Sequence, residues 1–252
     1  MPPAQGGAGL APARVKGPAD ADPAGPAAGP TILAGMVRPA PPPGFTPGEL
    51  RRLRALRDPD GIQRALEAMP YHLTGTAWSP RRVLREGTAH CLEGAIFAAA
   101  ALRILGHPPL LLDLEAVQDT DHVLAVYRVR GHWGAIAKSN FSGLRYREPV
   151  YRSLRELVMS YFDGYLNHRG ERTLRAYAGP VDLGRLEAAH PGWEVTDHPL
   201  WWIPERLAEL PHRPLVTPAM AGRLHRAGAR SLAAALVGFR APAGARLSPT
   251  PG

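Results

Sequence analysis

The chain has 252 residues, a single cysteine and a formal net charge of +8. It is long enough to bury one sizeable core, and it has no internal disulfide to rely on. No apolar run approaches the length of a membrane span and the first residues lack the basic-then-apolar order of a secretory signal, so the expectation is a soluble cytoplasmic protein with no membrane partner.

Residues 1–44 are dominated by Pro, Ala and Gly. Such a segment buries too little apolar surface to offset its ordering entropy, and it is expected to be disordered; Met36 within it is a second possible start. A similar tail is expected over 241–252. Between them, 45–240 reads as one domain. Thr46-Pro47-Gly48-Glu49 is a capping-box start to a helix through Leu56. A second helix follows Asp58-Pro59-Asp60, with Ile62, Leu66 and Met69 on one face. Tyr71 to Gly87 reads as a loop carrying Arg81, Arg82 and Arg85. The stretch from Thr88 to Leu105 then reads as a buried helix, rich in Ala and Leu and apolar nearly all round, with Thr88 as N-cap and Cys91 in its first turn. A thiol there feels the positive end of the helix dipole, which favours thiolate. The opposing reading is a buried cysteine acting as a small hydrophobe.

After Gly106 comes an apolar run of strand length ending at Leu114. His122 to Val129 alternates, turns at Arg130-Gly131, and resumes from His132 to Asn140, a β-hairpin pattern. Ser153 to Tyr165 has helical spacing. Residues 180–216, rich in Trp and Pro, read as an irregular wrapping segment, and Thr217-Pro218 opens a last helix or helix pair reaching about Phe239.

The order of a cysteine-bearing helix, a strand, and a strand that starts with histidine resembles the core of the transglutaminase-like, papain-related superfamily. Cys91 is followed by Ala95, Arg103, Gly106 and Pro108, similar to C-x3-A-x7-R-x2-G-x-P. His122-Val123 is followed by Gly131 and Trp133, similar to H-V-x7-G-x-W. The resemblance covers roughly residues 80–140. It implies an α+β fold with the cysteine helix packed on an antiparallel sheet, extended here by further helices and the two tails. It also implies Cys91 as nucleophile and His122 as general base, with the sulfur in reach of the imidazole; side chains placed on opposite faces of the sheet, or well beyond reach, would sink the enzyme reading.

The family's usual acidic third residue falls at Ala137. If Arg130-Gly131 is a two-residue loop, Val129 faces His132 and His122 falls opposite Ser139. Ser139 is then the expected orienter of the imidazole. Asn140 would serve only through a bulge, and Asp121 should point away.

These expectations give an acyl-transfer enzyme acting on an unknown peptide, amide or thioester, by hydrolysis or transamidation. One alternative is a degenerate module of the same fold that binds a partner through the cleft. A more distant one is a basic nucleic-acid-binding protein, suggested by the net charge and by Arg226 to Leu236, which faintly resembles half of a helix-hairpin-helix. The positive charge is nearly all arginine, with lysine only at Lys16 and Lys138. Arg82, Arg145 and Arg147 are candidates for binding an anionic substrate. No cofactor or metal site is expected, since there is no second cysteine, no His-x3-His pair and no phosphate-binding glycine loop.

Overall fold

The computed structural model describes residues 44–240; the two expected tails fall outside them apart from Gly44. Thr46 caps helix α1, Pro47–Arg54, through the anticipated reciprocal bonds with Glu49. Asp58 caps α2, Pro59–Ala68, which buries Ile62 and Leu66. The expected loop before the cysteine contains a further helix, α3, Pro80–Glu86, started by a Ser79 cap and closed by Gly87 in the left-handed conformation. Ser-Pro followed by a glycine stop was a legible helix pattern, and its shortness hid it.

Helix α4, Cys91–Ile104, is buried almost throughout. Its N-cap position is His90, not Thr88, whose hydroxyl instead donates to the Pro70 carbonyl at 2.8 Å. Cys91 is therefore the first helical residue.

Strands β1 (Leu110–Ala116), β2 (His122–Val129), β3 (His132–Ile136), β4 (Arg147–Tyr151), β5 (Leu174–Asp182) and β6 (Arg213–Pro214) form one sheet in the order β4-β3-β2-β1-β5-β6, every pair antiparallel. The fold is thus α+β. Period-two alternation divides the sheet between two cores. Leu111, Val123, Ala125 and Tyr127 face α4 and its neighbours, while Leu110, Leu112, Leu124 and Val126 face α5, Leu154–Phe162. The segment expected to wrap irregularly from residue 180 holds the end of β5, a 3-10 turn at Leu183–Leu186, α6 (Trp202–Ala208) and β6. Gly179-Pro180 reads as a strand breaker in sequence; in the fold it lies beside a register shift in the β1–β5 ladder. Two short helices, α7 (Pro218–Ala221) and α8 (Ala229–Ala235), close the described chain. Among the described residues no helix is long and apolar enough to cross a membrane.

The hairpin turns where expected. Arg130 and Gly131 both have positive φ, 49° and 85°, and Val129 pairs with His132, as a two-residue turn with left-handed central residues requires. The expected pairing of His122 with Ser139 does not form. The β2–β3 ladder stops at Ala125 and Ile136 because the next residue is claimed by another element. The Gln63 amide of α2 donates to the Ala137 carbonyl at 3.0 Å, and its oxygen accepts the Ala137 N–H at 3.1 Å. One residue on, the Lys138 ammonium donates to the Leu66 and Met69 carbonyls at the end of α2, at 2.6 and 2.7 Å. A Cβ on Gly94 of α4 would lie 2.5 Å from the Lys138 Cβ, so only glycine lets this chain cross the helix so closely. The segment leaves β2, and His122 keeps a strand partner on one side only, Leu114 of β1.

Candidate functional site

Where the chain peels off β2, a cavity of about 380 Å³ opens at the end of the sheet. Cys91, His122 and Ser139 all line it, together with Tyr71, Tyr165 and Phe239. The three residues singled out in the sequence thus reach one space, but they arrive from different sides. Cys91 belongs to α4. His122 falls by alternation with Leu124 and Val126 on the α5 side, and its contacts agree: its Nε2 is 3.0 Å from the Leu144 carbonyl, and its ring stands edge-on to Tyr165. The cavity spans the sheet edge that would otherwise separate them.

A carbonyl only accepts, so neutral His122 carries its proton on Nε2 and keeps its lone pair on Nδ1. Burial, opposed by the Leu144 bond and aided by the Arg147 charge, brings the His122 pKa down to about 4. Burial likewise pushes the Cys91 thiol up, against hydrogen bonds from Tyr71 and from the Leu92 and Cys91 backbone N–H groups; the Glu93 charge adds to the rise. The helix start does favour thiolate, but desolvation outweighs it, so both groups rest neutral at pH 7. Tyr71 is itself driven up by burial and remains a hydroxyl donor.

Ser139 and Asn140 are otherwise engaged. The Ser139 hydroxyl accepts the Phe141 N–H at 3.0 Å. Asn140 holds the backbone of Arg240 at both ends, accepting its N–H at 2.9 Å and donating to its carbonyl at 2.8 Å. The imidazole instead bonds the Leu144 carbonyl, a backbone group that no residue-type pattern reveals. Asp121 accepts the Ala116 N–H at 2.7 Å.

Behind Cys91 the structure assembles a cluster the sequence reading missed. Glu93 is fully buried. One carboxylate oxygen accepts from the Thr76 hydroxyl at 2.6 Å and the Trp78 N–H at 3.0 Å; the other accepts the His90 N–H at 3.3 Å and lies 2.6 Å from His72 Nε2. These bonds fasten the 72–78 loop, next to Tyr71, onto the first turn of α4. His72, His90 and Glu93 bring ligand-type atoms within 4.8 Å of one another. A divalent ion there would have to displace the His72–Glu93 bond and the 2.7 Å contact of His90 Nε2 with the Thr76 carbonyl. A Glu three residues after the cap position was the available sequence signal.

The three candidate arginines separate cleanly. Arg82 stacks over Trp78. Arg147 lies over the Tyr161 ring and donates to Ser160, Tyr146 and Gly143. Arg145 lines a second cavity, described below. No family model matches the chain, and no curated protein sequence matches it.

Proposed function

We propose that the chain is a cysteine-dependent acyl-transfer enzyme with Cys91 as nucleophile and His122 as general base, built on a transglutaminase-like core. The observation that carries the reading is the cavity shared by Cys91 and His122, with the imidazole anchored through Nε2–H so that Nδ1 is the basic nitrogen. The Cys91 sulfur attacks the carbonyl carbon of an amide or thioester as its proton passes to His122 Nδ1. The tetrahedral oxyanion is met by backbone N–H groups at the start of α4, including that of Cys91. Collapse expels the amine or thiol, which takes the proton from His122 and leaves an acyl thioester on Cys91. Water or an amine then releases the acyl group. Leu144, through its carbonyl, takes the orienting part expected of Ser139. With no carboxylate to stabilise imidazolium, turnover is slow.

The test is intact-mass spectrometry of the chain treated with an activated thioester. A single acyl adduct on Cys91, formed more slowly in His122→Ala and absent in Cys91→Ala, supports the reading. The second reading, a binding module using the same cleft, is favoured by the neutral resting pair and by the approach of the two residues from opposite sides of the sheet. It requires no adduct in the wild type.

A further inference from the structure

On the far side of Tyr71, Ser139 and Asn140, which wall both spaces, lies a second cavity of about 280 Å³. Three cationic side chains line it, Lys138, Arg145 and Arg240, against one carboxylate, Glu67. That carboxylate is no close partner: Arg145 Nη1 is 4.0 Å from it. Arg145 Nε is buried with no hydrogen-bond partner, and its Nη2 reaches only the Ser139 carbonyl, at 3.3 Å. Lys138 spends two protons on the end of α2 and has a third to give. Arg240 is held in place by Asn140 and donates from Nη1 to the Tyr71 carbonyl at 3.4 Å.

Gathering like charges around one space costs stability unless something of opposite sign enters, and a buried N–H left unpaired costs more. Lys138 registers this directly: burial first, then the Arg145 charge, with Arg240 adding and the Glu67 charge opposing, bring its pKa down to about 8. Guanidinium groups fit planar or tetrahedral oxyanions, and Lys138 supplies a point charge.

We infer that this cavity is an anion subsite, which binds a carboxylate or phosphate group of the molecule whose acyl group enters the adjoining Cys91 cavity. Its assignment to the substrate rests on the proposed function; anion binding itself does not. Inorganic phosphate and acetate are titrated calorimetrically into the full-length chain carrying Cys91→Ser, at constant ionic strength set with sodium chloride. The expected result is saturable one-site binding of one or both, the preferred probe telling phosphate from carboxylate. Arg145→Gln and Arg240→Gln should each weaken it roughly tenfold or more, the loss of one charge-assisted bond. Arg240 is exposed, so its variant should fold even if Arg145→Gln does not. No saturable binding of either probe, or equal binding in the folded variants, would overturn the subsite. An acyl adduct on Cys91 in a protein that binds neither probe would overturn it while leaving the acyl-transfer reading intact. Anion binding without any adduct would do the reverse.

Discussion

Two charged regions flank Cys91, and they solve burial in opposite ways. The Glu93 carboxylate has donors on both oxygens, all supplied by the chain itself. The cavity of Lys138, Arg145 and Arg240 gathers three cations around one carboxylate, which Arg145 meets only at 4.0 Å, and leaves an N–H unpaired. A buried charge answered internally holds a loop to a helix; a charge left unanswered is available to a ligand. The difference separates scaffold from site more reliably than residue type does, since both regions look equally polar in sequence.

Breaking the compensated side should have the largest effect. Glu93→Ala strands the Thr76, Trp78 and His90 donors and is expected to cost about 3–5 kcal/mol in denaturant unfolding. A loss under about 1 kcal/mol would mean that water replaces the carboxylate at little cost.

His122 predicts an acid limb. Its folded pKa is lowered to about 4 from an ordinary 6.5, so the unfolded chain binds the proton first. Its stabilising contribution is intact above pH 6.5 and is lost as pH falls from 6.5 to 4, a change on the order of 3 kcal/mol. Unfolding free energies measured across that window should show this slope in the wild type and a flatter one in His122→Leu.

Gln63→Ala tests what opens the cavity. It leaves the Ala137 N–H and carbonyl without the partners they have in the fold, at an expected cost of about 1–3 kcal/mol in thermal or chemical unfolding. The smallest effect belongs to the uncompensated side: Arg145→Gln in the absence of added anion should change stability by no more than about 0.5 kcal/mol in either direction, since it relieves repulsion as it removes one bond. A loss comparable to that of Glu93→Ala would place Arg145 with the scaffold.

Much of the frame was legible. The Thr46 and Asp58 caps, the Arg130-Gly131 turn and the start of the cysteine helix to within two residues all depend on local chemistry, which neighbouring residues specify. What was not legible depends on contacts distant in sequence. The β2–β3 ladder ends early because of Gln63, 74 residues before Ala137. The bond that fixes the imidazole comes from the Leu144 backbone, which no side-chain pattern encodes. Strand β5, whose end falls in the segment expected to be irregular, is held by its pairing with β1, a partner distant in sequence. The expectation of a favoured thiolate failed for a related reason: the helix dipole is readable from sequence, while the desolvation that outweighs it depends on the whole fold. Lys138 was noticed for its rarity, and its two bonds to the end of α2 explain its position, leaving its third proton to the cavity.

The central claim is that His122 acts on Cys91, and the pH dependence of iodoacetamide alkylation of the native chain tests it most directly. A thiol raised by burial and unassisted reacts only as pH approaches or exceeds its ordinary value of about 8.5. Assistance by His122 adds a component that switches on as the imidazole loses its proton, near pH 4, and persists through neutrality. The account predicts that low-pH component in the wild type and its disappearance in His122→Ala. A single alkaline limb, the same in both proteins, would contradict it.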